Sequence, residues 1–106
     1  MIFFQYGLLL PVVKELTKTM TLTKEDLIRS LPFLFNSAEF RIEENIIHYS
    51  NAGKWLEIHI QELPVLSLGS LLLPQIHVKF RFHDHTDCQI DQFMKNFNQI
   101  NLRGGG

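Results

Sequence analysis

A chain of 106 residues with 45% hydrophobic side chains and nine Phe has the make-up of one small globular domain. Its formal net charge of −1 argues against a nucleic-acid or membrane-surface binder, since both call for a net basic domain. Cys88 is the only cysteine, so no internal disulfide can form, and a cytoplasmic location is expected.

The opening residues Met1 to Leu10 are greasy, but the apolar run Tyr6 to Val13 is far short of the roughly 20 residues of a membrane span. No Lys or Arg precedes Phe3, so no export signal is expected. Pro11 can open a short helix that puts Val12, Val13, Leu16 and Met20 roughly on one face. Met20 directly precedes a helix start in which Thr23 and Asp26 resemble a capping box, with Asp in place of Glu or Gln. Residues 1–19 are therefore a candidate N-terminal extension and residues 20–106 the domain proper. The helix should run from Lys24 to about Ser30, bury Leu27 and Ile28, and stop ahead of Pro32.

From Glu39 the pattern turns to strands. Glu39–Glu43 and Ile46–Ser50 flank Glu44-Asn45, a hairpin turn in which Asn45 tolerates positive φ, and Asn51-Ala52-Gly53 forms a second turn. Lys54 to Glu62 alternates, with Leu56, Ile58 and Ile60 on one face and Trp55, Glu57, His59 and Gln61 on the other. Pro64 is expected to end this strand, and Val65–Leu68 to add a short edge strand before a turn at Gly69-Ser70. The strand Gln75–His83 points Ile76, Val78, Phe80 and Phe82 inward and His77, Lys79, Arg81 and His83 outward.

Thr86 and Gln89 form a second capping box, followed by Ile90, Phe93, Met94, Phe97 and Ile100 or Asn101 at helical steps. This helix should span residues 87–101, with Gly104 as its C′ residue. The expected fold class is α+β: an antiparallel sheet of four to five strands, with an N-terminal and a C-terminal helix packed on one face. Ile76, Val78, Phe80, Phe82, Phe93 and Phe97 are the expected centre of the core.

The chemistry-bearing residues are few. His59, His77, His83 and His85 are weak metal candidates, because no HExxH or CxxC frames them, and His48 stands apart. Cys88 lies in a helix's first turn near His85, but nothing in the pattern supplies an oxyanion hole or an orienting group. No catalytic residue, metal or cofactor is expected. The outward face gathers Trp55, His59, His77, Lys79 and Arg81. With one aromatic ring and Glu57 among them, it is better suited to a protein contact than to RNA.

The ending Leu102-Arg103-Gly104-Gly105 resembles that of ubiquitin and of small sulfur-carrier proteins. The resemblance implies a flexible tail whose terminal carboxylate an activating enzyme reaches. It covers only the last few residues. Here Gly106 adds a third glycine, and a helix rather than a strand leads into the tail. The sequence thus favours a small non-enzymatic interaction module that binds a protein partner or itself, with nucleic acid and membrane disfavoured. Two alternatives are a carrier acting through Arg103, Gly104, Gly105 and Gly106, and a histidine-based metal enzyme.

Overall fold

The computed structural model describes residues 13–35, 40–51 and 53–105, with side chains described as far as residue 101. Residues 1–12, Glu39, Ala52 and Gly106, which enter the expectations above, lie outside the described residues. Strand β1 (Val13–Met20) is followed by helix α1 (Lys24–Leu34), strands β2 (Phe40–Glu43), β3 (Ile46–Asn51), β4 (Lys54–Leu68) and β5 (Leu71–His83), and helix α2 (Asp87–Gly105). The strands form one antiparallel sheet in the order β1-β5-β4-β3-β2. Since β1 and β2 occupy opposite edges, α1 carries the chain from one edge of the sheet to the other, and the meander β2 to β5 brings it back.

The antiparallel α+β class is as expected, but the first helix follows a strand instead of opening the fold. Val13–Met20 is extended and pairs with β5 from Val13–His83 to Met20–Ile76. Its β-branched Val13, Thr17 and Thr19 suit a strand, and the free edge of β5 supplies the hydrogen bonds that a local helix would have supplied itself.

Helix α1 starts as expected, with the Asp26 amide donating to Thr23 Oγ1 at 3.0 Å. Asp26 does not complete the reciprocal box; its shorter carboxylate instead meets Arg29 Nη1 at 2.8 Å. The helix does not stop before Pro32 but runs through it to Leu34. Pro32 forfeits one backbone bond, while the fully buried Leu27 and Leu31 hold this turn against the sheet, and the Phe35 amide donates to the Leu31 carbonyl at 2.8 Å. In α2 the box is complete: the Thr86 amide donates to Gln89 Oε1 at 2.9 Å and the Gln89 amide to Thr86 Oγ1 at 3.1 Å. The backbone stays helical through Gly105, so Gly104 is not the C′ residue. Glycine permits a helix to end without requiring it.

The core lies between the inner sheet face and the two helices. Leu56, Ile58, Ile60, Ile76, Val78, Phe80 and Phe82 meet Leu27, Leu31, Ile90 and Phe97 there, and Phe93 packs on them partly buried. Phe80 and Phe97 meet edge to face with centroids 4.9 Å apart, and Phe35 stacks on Tyr49 at 4.0 Å. Lys14 and Lys18, on the inner side of the edge strand β1, reach Asp87 and Asn98 of α2 and tie the helix to that edge.

Candidate functional site: the open sheet face and its projecting ribbon

The strands differ greatly in length, and this mismatch shapes the surface. Strand β3 accompanies β4 only between Ile46–His59 and Asn51–Lys54, and β1 leaves β5 at Ile76. Beyond those points β4 and β5 continue as a two-stranded ribbon to the turn at Gly69-Ser70. The six residues from Leu63 to Leu68 extend it by about 20 Å. In keeping with such a projection, the Cα radius of gyration is 16.1 Å, against ~13 Å for a compact domain of about this length.

Pro64 was expected to break β4, yet the strand passes it. Between Leu63–Gln75 and Leu66–Leu73 the register shifts, three steps on β4 facing two on β5. Pro64 sits in this irregular stretch, where a missing N–H interrupts little of the ladder. The extra residue also reverses the facing of β4. Before it, even-numbered residues point inward, whereas Leu66 and Leu68 beyond it pair with Leu73 and Leu71 on the outward side. Val65–Leu68 is thus the end of β4 and not a separate edge strand. Gly69, with φ +62°, takes the first central position of the two-residue turn, as a type II′ hairpin requires.

The ribbon is apolar and exposed: Val65 is 57%, Leu68 53%, Leu71 59% and Leu72 71% accessible. From Leu63 to Ile76 the chain carries no charged residue. These leucines were missed as candidate site residues. The signal was present as an uncharged Leu-rich run on either side of Gly-Ser, but it reads equally well as a buried hairpin.

The expected outward residues do share the outer face of the sheet. Register partners form a charged row across all five strands: Arg41, His48, Glu57, Arg81 and Glu15. Its charges largely satisfy one another. Arg81 Nε lies 2.9 Å from Glu15 and its Nη1 3.6 Å from Glu57, His59 Nε2 is 3.1 Å from Glu57, and His48 Nε2 is 3.2 Å from Glu43. His77 Nδ1 contacts Thr19 Oγ1 at 3.3 Å. Lys79 forms no ion pair among the described residues and stays available.

Trp55 is half-exposed and stacks on His83, its direct register partner, with centroids 3.5 Å apart and planes 7° from parallel. His83 was expected in solvent but is buried, and neither ring nitrogen has a hydrogen-bond partner among the described residues. Trp55 covers the imidazole, a cross-strand contact that alternation alone does not reveal. Strand β5 ends at His83 because Asp84 turns left-handed with φ 63°, so His85 leaves the strand's alternation and its Nδ1 meets the His83 carbonyl oxygen at 3.1 Å. Similarly, the positive φ of the β2–β3 turn falls on Glu44 (55°) and not on Asn45. Among the described residues, no three His, Cys, Asp or Glu side chains converge as a metal site needs. Cys88 is exposed.

No protein-family model matches this chain, and no curated protein matches it. No helix among the described residues is long and apolar enough to cross a membrane.

Burial raises the Glu57 carboxyl pKa, but the hydrogen bond from His59 and the positive charges of His59, Arg81 and His83 outweigh it and hold the group below its ordinary 4.5. A carboxyl lowered by folding adds stability that is present above 4.5 and is lost as pH falls through the lower native value. Glu57→Gln should therefore flatten the acid side of the stability profile, read as urea midpoint against pH below 4.5. Identical slopes in the two proteins would remove Glu57 as the centre of this charge network.

Proposed function

We propose that the protein is a small non-enzymatic interaction module whose contacting element is the β4–β5 ribbon, with Trp55 and Lys79 on the adjoining sheet face. The exposure of Val65, Leu68, Leu71 and Leu72 on a projection free of charge carries this reading. Soluble domains seldom leave contiguous apolar surface open unless something covers it in use. The paired charges of the outer face favour a supporting role for Arg81 and His59, because their interactions are already spent on Glu15 and Glu57.

A photo-crosslinking side chain placed at Ser70, on the turn of the ribbon, tests the reading in living cells. A discrete adduct is expected from that position and none from the exposed Gln92 of α2. The same adducts from both positions, or none from Ser70, would sink the proposal.

A further inference from the structure

We infer that the occupant of the ribbon is the same ribbon of a second copy: the leucine face of Leu66, Leu68, Leu71 and Leu73 joins its equivalent about a two-fold axis to give a homodimer. This rests on the module reading above and names its partner.

Three observations point to a second copy. First, both flanks of the ribbon are open among the described residues, since β3 stops pairing near His59 and β1 at Ile76. A lone two-stranded ribbon is marginal in water, and three or more strands with an apolar face are needed for stability. Two ribbons packed leucine face on leucine face supply four strands around one shared apolar layer.

Second, a two-fold contact sets a patch against itself, so any charge within it meets its own kind. The stretch Leu63 to Ile76 contains none. Third, the irregularity at Pro64 turns Leu66 and Leu68 to the side of Leu71 and Leu73, so that four leucines share one face.

The test uses the full chain in sedimentation velocity across a micromolar-to-millimolar series. The wild-type mass is expected to double with concentration. Leu68→Lys combined with Leu71→Lys places like charges at the contact and should weaken association about tenfold or more. Both sites are exposed, so the variant's thermal transition at low concentration should match that of the wild type. Mixed with a Leu68→Glu, Leu71→Glu partner, it should form a heterodimer that neither variant forms alone.

A wild type that stays monomeric throughout, or a lysine variant that dimerises as well as wild type, overturns the inference. Binding of the wild type to phosphatidylcholine vesicles in place of dimerisation also overturns it. A Ser70 adduct with twice the chain mass supports it. An adduct to a different protein removes the second copy as occupant and leaves the module reading standing, whereas no adduct removes both.

Discussion

Phe80→Ala should destabilise the protein by about 3–5 kcal/mol, while Lys79→Ala one residue away should cost under about 0.5 kcal/mol. Phe80 has no exposed surface, and its ring is held edge-on by Phe97 at 4.9 Å and by Phe93 at 6.1 Å. On the sheet it lies between Leu16 of β1 and Ile58 of β4. Truncation would leave a cavity bounded by both the sheet and α2, where neither side can collapse without moving the other. A whole domain is worth only ~5–15 kcal/mol, so this one side chain accounts for a large share of it. Lys79 lies on the open face and forms no ion pair among the described residues, so its removal forfeits little. Urea midpoints of the two variants decide the matter, and equal losses would mean that the inner and outer faces of β5 are wrongly assigned.

A chain begun at Met20 should lose its cooperative thermal transition or aggregate. Such a start removes almost all of β1, which pairs with β5 at eight positions, and with it the Lys14–Asp87 and Lys18–Asn98 ties to α2. At roughly 0.5–1.5 kcal/mol net for each hydrogen bond, an eight-residue ladder is comparable with the stability of the domain. The loss would also bare the edge of β5 from Ile76 to His83, an invitation to strand-to-strand association. Circular dichroism melts of the two lengths measure this directly. An undiminished transition in the shorter chain would show that residues 1–19 are an extension in the energetic sense.

Much of the fold is legible in the amino-acid sequence. The Thr23 and Thr86 caps form their hydrogen bonds three residues on, and the Gly69-Ser70 turn joins the two longest strands. The alternation of Lys54–Glu62 and Gln75–His83 sorts inner from outer residues correctly, the burial of His83 excepted. The face that groups Trp55, His59, His77, Lys79 and Arg81 follows from the same alternation.

These features are short-range: a cap spans three residues, and a strand's two-residue period is set by its own backbone. What failed depends on partners distant along the chain. Val13–Met20 has a pattern that a helix could share, and only the free edge of β5 makes it a strand. Pro32 and Pro64 are tolerated because Leu27 and Leu31 anchor the one and a register shift absorbs the other. The burial of His83 comes from Trp55 on the neighbouring strand.

The ribbon is the sharpest case. That Leu63 to Ile76 is apolar and uncharged is written in the chain, as is the turn at its middle. Whether it is core or projection depends on where β1 and β3 end, and those ends lie at Met20 and Ile46, far from it in sequence. Local sequence therefore determined the period, the caps and the turn. The lengths of neighbouring strands decided which apolar residues the sheet could cover, because burial belongs to the packed assembly and not to the segment.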